Sequence, residues 1–169
     1  IYEGEKISKS VGNVIDPILI KNEFGLDQLR YFLIREVPFG NDGDFSKNQL
    51  VLRINSDLAN NLGNLFQRVI SFSFKFCDKK IPNHNNQFLE EDLRIINLFK
   101  NDFNYLKKLI DEQKLDKSLK LIWRYITEAN KYIDEQAPWQ LKNKDPDRMQ
   151  VVLYTLIEFL RQTGILIQP

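Results

Sequence analysis

The sequence predicts an all-α protein, an antiparallel helical bundle preceded by a short loop-and-helix arm. Three observations carry this reading. Apolar residues recur at spacings of three and four over most of the 169 residues, the stripe that an amphipathic helix turns toward a core. No segment shows the strict apolar–polar alternation of a half-buried strand. Asp–Pro pairs, glycines and an asparagine-rich stretch fall between the striped segments, where helices start and stop. The chain is expected to divide into an arm over residues 1–45 and a bundle over residues 46–169.

Residues 1–15 are polar and read as a loop. Asp16 and Pro17 open a first helix as N-cap and first helical position; Ile18, Leu19 and Ile20 follow, and Gly25 ends it. A second helix covers 26–37 through Leu29, Phe32, Leu33 and Val37. Pro38 to Phe45 is a turn-rich break, and Ser46 caps the next helix. Residues 50–76 read as one long helix with the stripe Leu58, Leu62, Leu65, Val69, Phe72 and Phe76. Gly63 lies inside it, at a cost of about 1 kcal/mol relative to Ala, so close packing or a slight break is expected there. After a loop over 78–87, a helix over 89–111 carries Leu93, Ile96, Phe99, Phe103, Leu106 and Ile110. Another over 116–135 carries Leu119, Ile122, Trp123, Ile126, Ala129 and Ile133, with Trp123 read as core. Ala137-Pro138-Trp139 interrupts it. A last helix opens at Asp145-Pro146 and carries Val152, Leu156, Phe159 and Leu160.

The composition excludes several function classes. There are 24 basic and 23 acidic residues, so no broad basic field exists, and contact with nucleic acid must be local. No apolar run approaches the roughly 20 residues of a membrane span, and no signal peptide opens the chain. The single cysteine, Cys77, forms no internal disulfide and belongs to no Cys/His zinc cluster; a reducing cytoplasmic setting fits. It reads as a small apolar filler. Asp42 and Asp44 flank Gly43 without further metal ligands at the required spacing, so a turn is expected. His84 receives no role. Arg30 and Arg35, on or near the second helix, either touch the inner limb of a tRNA or pair with Glu36 or Asp44, and the ion pairs are the expectation. The chain opens on Ile1 and closes on an apolar run, so both ends read as cut from a longer polypeptide.

Three features carry chemistry. Lys6-Ile7-Ser8-Lys9-Ser10 sets two ammonium groups and two hydroxyls within five residues. A polyphosphate needs such points, and an ordinary solvated loop has the same composition. Gly12 lets backbone approach closely. On the long helix, Asn64 and Arg68 lie about 40° apart, with Asn61 about 60° from Asn64. That face can bond the edges of unstacked bases, or it is a solvated face whose Arg pairs with an acid. Trp139, after Pro138, is a stacking platform for a base or a cover for the bundle end.

In their wider context these segments resemble the methionyl-tRNA synthetases, from the KMSKS loop of class I synthetases through the anticodon-binding domain. Ser8-Lys9-Ser10-Val11-Gly12-Asn13-Val14-Ile15-Asp16-Pro17 resembles the KMSKS segment, with Ile7 in place of its Met. Arg30-Tyr31-Phe32-Leu33-Ile34-Arg35-Glu36-Val37-Pro38-Phe39-Gly40-Asn41-Asp42-Gly43-Asp44-Phe45-Ser46 is similar to the segment after that loop. Asn55-Ser56-Asp57-Leu58-Ala59-Asn60-Asn61-Leu62-Gly63-Asn64-Leu65-Phe66-Gln67-Arg68 is similar to the first anticodon-domain helix, and Glu135-Gln136-Ala137-Pro138-Trp139 matches a further motif. Residues 78–115 show only helical pattern.

The resemblance implies part of a methionine–tRNA ligase, with ATP and Mg2+, methionine and tRNA-Met as the full enzyme's cofactors and partners. It gives Lys9 the developing phosphate charge and Lys6 an assisting role, while Ser8 and Ser10 shape the loop or donate to phosphate. It places reading of the CAU anticodon on Asn64, Arg68 and Trp139, with Asn61 beside them and Pro138 orienting the indole. The HIGH-like motif and the nucleotide-binding half are not in this sequence, so the chain alone is expected to be inactive. The cysteinyl, isoleucyl, leucyl and valyl enzymes share the loop and a helical domain. A non-catalytic helical tRNA-binding module would also keep this fold.

Overall fold

A computed structural model describes residues 1, 2, 4–7 and 14–168. Ten α-helices and one π-helical segment are found among them: α1 Pro17–Phe24, α2 Leu26–Glu36, α3 Lys47–Arg53, the π segment Ile54–Gly63, α4 Asn64–Phe76, α5 Glu90–Ile96, α6 Leu98–Asn101, α7 Phe103–Asp111, α8 Leu115–Gln136, α9 Pro138–Lys144 and α10 Pro146–Leu166. The described residues contain no strand longer than isolated bridges, at Tyr2–Glu5 and Tyr2–Phe45. The all-α bundle expected from the stripes is the architecture found.

The helix starts reflect local chemistry. Asp16 Oδ1 accepts from the Ile18 amide at 2.8 Å and Pro17 opens α1. Ser46 Oγ accepts from the Gln49 amide at the start of α3. Asp145 accepts from the Arg148 amide at 3.0 Å, with Pro146 at the first position of α10. Each side chain satisfies an amide the helix leaves without a partner. Gly25 ends α1 at φ 97°, backbone that glycine adopts without strain.

Two of the expected helices are not continuous. The 50–76 stretch is helical throughout, but Ile54–Gly63 is wound with i→i+5 hydrogen bonds. Gly63 is the last residue of that segment, and a Cβ there would lie 2.9 Å from the Leu58 carbonyl oxygen. The 89–111 stretch breaks twice. Asn97 and Asp102 adopt φ/ψ of −93°/2° and −102°/13°, the bridge region between helix and strand. At the first break Asn97 Nδ2 donates back to the Leu93 carbonyl at 2.8 Å, a local bond of the kind that competes with the helical ladder; at the second the Asp102 carboxylate accepts from the Tyr125 hydroxyl. These breaks shift the buried face. Ile95, Phe99, Leu106 and Leu109 are buried, while Leu93, Phe103 and Ile110 of the expected stripe are exposed.

The core lies where α8 and α10 meet α4, α5 and α2. Leu65, Val69, Ile95, Ile126, Ala129, Val152, Leu156 and Phe159 are fully enclosed, with Trp123 beside them. The arm joins through α2. Tyr31 belongs to the main core, packs on Trp123 at 4.6 Å between ring centres, and donates to Asp57 at 2.7 Å. Burial and that hydrogen bond push the Tyr31 hydroxyl far above its ordinary pKa. Arg53 pairs with Glu36 and Asp57, so Arg53 holds the Glu36 carboxylate expected to pair with Arg30 or Arg35. Arg30 pairs with Asp27, and Asp44 accepts from the Gly4 amide.

Candidate nucleic-acid interface

The surface around Trp139 is built by a corner between two helices. α8 ends at Gln136, and Ala137 takes left-handed backbone at φ 43°, a conformation that costs an L-residue roughly 1–2 kcal/mol. Pro138 then opens α9, fixed in φ and buried. The chain thereby turns sharply and leaves the Trp139 indole 42% exposed. A polar network holds this corner. Arg148 of α10 donates to Gln136 Oε1 at 2.7 Å and forms a two-pronged pair with Asp92, which also accepts from the Tyr132 hydroxyl and the Leu89 amide. Asp92 is fully buried. Burial alone would push its carboxyl up, but the bonds from Arg148, Tyr132 and Leu89 outweigh it and hold the carboxyl below its ordinary range.

Arg68 of α4 faces the corner. Its guanidinium carbon lies 5.2 Å from the centre of the Trp139 ring, within cation–π range. A terminal nitrogen also pairs with Asp134 of α8. The Arg68 side chain is 28% exposed and that of Asp134 62% exposed. Asn64, one turn earlier on α4, is exposed, and its side-chain amide has no hydrogen-bond partner among the described residues. Asn61 is held inward. Its Nδ2 donates to Thr127 Oγ1 at 3.1 Å, and its Oδ1 accepts from Asn130 Nδ2 at 2.8 Å.

The fold therefore brings Arg68 and Trp139 into contact from distant parts of the chain, with Asn64 beside them. The arrangement offers an aromatic face, a guanidinium and an open amide on one surface. These are the groups that stack on and hydrogen-bond a splayed base. Sequence reasoning missed Asp134. Its one signal was the need of an interfacial Arg for an acid, which does not single out this carboxylate among the others on the surface.

Of the loop residues, Ser8, Lys9 and Ser10 lie outside the described residues, as does Gly12. Lys6 is exposed, just past a turn in which Tyr2 and Glu5 exchange backbone hydrogen bonds of 2.8 and 3.0 Å. That turn is pinned to the end of the arm: the Phe45 amide donates to the Ile1 carbonyl at 3.0 Å. His84 packs between Phe88 and Tyr154. Cys77 closes α4 half-buried, its thiol pKa raised by burial and by Asp78. No group of three metal-ligating His, Cys, Asp or Glu side chains forms among the described residues. No helix among them is long and apolar enough to cross a membrane.

Comparison with known proteins places the chain beside one family. Residues 1–70 match the family described as tRNA synthetases class I (M). The chain is 49% identical over 166 residues to methionine–tRNA ligase of Brucella suis biovar 1, covering 98% of this chain and 32% of that protein. It is 47% identical to the Rickettsia conorii ligase over 169 residues, covering 99% of this chain and 33% of the relative. Among solved structures, Mycobacterium tuberculosis methionyl-tRNA synthetase in complex with methionyl-adenylate superposes with a TM-score of 0.93 at 41% identity, over 99% of this chain and 34% of that one. Its free form superposes with a TM-score of 0.87 at 39% identity, over 92% of this chain and 32% of that one. The chain spans about a third of the length of the curated relatives it matches, and over that third it is similar in sequence and in fold to methionine–tRNA ligases.

Proposed function

We propose that this chain is part of a methionine–tRNA ligase whose helical bundle reads the CAU anticodon of tRNA-Met. The observation that carries the reading is the Arg68 guanidinium set over an exposed Trp139, with the open Asn64 amide one turn away. Trp139 supplies the stacking face, and Pro138 fixes its direction. Asn64 and Arg68 supply donors and an acceptor for base edges. Asn61, with its amide already engaged by α8, holds the rim of the surface.

In the full enzyme, the Lys6–Ser10 loop serves the first of two steps. The methionine carboxylate attacks the α-phosphorus of ATP and pyrophosphate leaves, giving methionyl-adenylate; a ribose hydroxyl of the tRNA's 3′-terminal adenosine then attacks the acyl carbon and AMP leaves. Lys9 stabilises charge developing on the transferring phosphate, Lys6 assists, and Ser8 and Ser10 shape the loop or donate to phosphate. The described residues bring together no group of three metal-ligating side chains, and no step is assigned here to residues holding Mg2+. Changing Lys9 to Ala in the full-length protein should slow ATP–pyrophosphate exchange by about 10²–10³ while stem-loop binding stays as it was. An unchanged exchange rate would remove Lys9 from the chemistry.

The anticodon reading is tested by binding of tRNA-Met anticodon stem-loops to the full-length protein and to Asn64→Ala, Arg68→Ala and Trp139→Ala. Trp139→Ala should lose roughly 1–3 kcal/mol, the worth of one base–aromatic stack. Asn64→Ala and Arg68→Ala should also lose discrimination between CAU and altered anticodons. Equal affinity for parent and variants sinks the reading. A loss uniform over all anticodons reduces the surface to a phosphate contact.

A further inference from the structure

We propose that the surface where Trp139 and Lys142 of α9 meet Arg68 and Phe76 of α4 is a track for the RNA backbone flanking the anticodon, with Lys75 and Lys142 as its phosphate contacts. The proposal rests on the anticodon reading above. Arg68, Phe72 and Phe76 succeed one another at intervals of four on α4, and such residues share a face. They span about 12 Å along the helix axis. Trp139 and Lys142 stand three apart on α9. The Arg68–Trp139 contact is thus continued by a second one, in which Lys142 Nζ lies 4.7 Å from the centre of the Phe76 ring. Lys75 Nζ lies 5.3 Å from the same ring, and Phe72 packs against Phe76 at 4.4 Å between ring centres.

Two ammonium groups therefore converge on one ring. Neither has an ion-pair or hydrogen-bond partner among the described residues, whereas Arg68, Arg94, Lys131, Arg148 and Arg161 each pair with a carboxylate. Lysines in the last turns of α4 and α9 suit the helix dipoles. The dipoles alone do not require a lysine of α9 to reach across to a ring of α4. Cations interleaved with aromatic rings are the composition of a single-strand RNA site, and with a net charge of +1 the chain has no broad field to substitute for such a local patch.

The test uses the full-length protein with Lys75→Gln, Lys142→Gln and the double variant, over a range of KCl concentrations. The probes are a CAU stem-loop and two stem-loops with altered anticodons. Each single change should lower the slope of log affinity against log salt by about 0.7, the value for one phosphate contact on a single strand. It should weaken all three RNAs by the same factor and leave the preference for CAU as it was. A double variant with the parent's slope overturns the proposal and returns these lysines to the role of helix-end charges. If the parent shows no preference for CAU, the anticodon reading falls, and the track then stands or falls on the slope alone.

Discussion

Arg68 has two partners before any RNA arrives: the face of Trp139 and the carboxylate of Asp134. A base that stacks on Trp139 must share or displace the guanidinium, and an RNA phosphate must compete with Asp134. A pair this open to solvent is worth up to about 1 kcal/mol. Replacing Asp134 with Asn should therefore tighten stem-loop binding by up to about fivefold, read as Kd at fixed salt. Weaker binding would mean that Asp134 orients Arg68 instead of competing for it. Asn64, Arg68 and Trp139 were legible in the sequence because their residue types and motif context point to bases. The commitments of their neighbours were not. Asn61 looks equivalent to Asn64 on a helical projection, yet Thr127 and Asn130, more than 60 residues away, hold its amide.

The π segment is the element that the apolar stripe did not foretell. Ile54, Leu58 and Leu62 repeat at four without an intervening three, a spacing longer than the 3.6-residue α period. Only in retrospect is that the signature of wider winding. Gly63 provides the test. In an ordinary α-helix interior, Gly→Ala gains about 1 kcal/mol. Here the new Cβ meets the Leu58 carbonyl at 2.9 Å, so Gly63→Ala should instead destabilise by about 1 kcal/mol, read as a lower melting temperature. A higher one would show that the segment rewinds to α without loss. The breaks at Asn97 and Asp102 were invisible for a different reason. No Gly or Pro marks them: Asn97 bonds back to the Leu93 carbonyl, which many asparagines inside helices could do, and at Asp102 the partner is tertiary, the Tyr125 hydroxyl of α8.

At the scale of the whole molecule, one buried ion pair joins three helices and fixes the corner that presents Trp139. Asp92 of α5 and Arg148 of α10 meet at Tyr132 and Gln136 of α8, with side-chain exposures of 0% and 14% for the charged pair. The stripes predicted which helices share a core, but this polar link joins residues 56 apart in sequence and leaves no local pattern. Its pH dependence has a definite sign. The folded pKa of Asp92 is depressed, so its contribution is present above the unfolded carboxyl value of about 3.9 and is lost as pH falls through the folded value. The folded pKa of Tyr132 is raised, first by burial and then by Asp92. Its contribution is therefore present below the ordinary tyrosine value of about 10 and is lost as pH rises past it. Stability should be flat between those limits and fall on both sides. Replacing Asp92 with Asn strands the Arg148 charge in a nearly closed site and should cost about 3–5 kcal/mol. It should also shrink the acid limb of the stability–pH curve and loosen the Trp139 corner, so that stem-loop affinity falls in a variant with its RNA-facing side chains intact. A variant that kept the parent's acid limb would show that other carboxylates set it, and one that kept full affinity would show that the corner holds Trp139 without this pair.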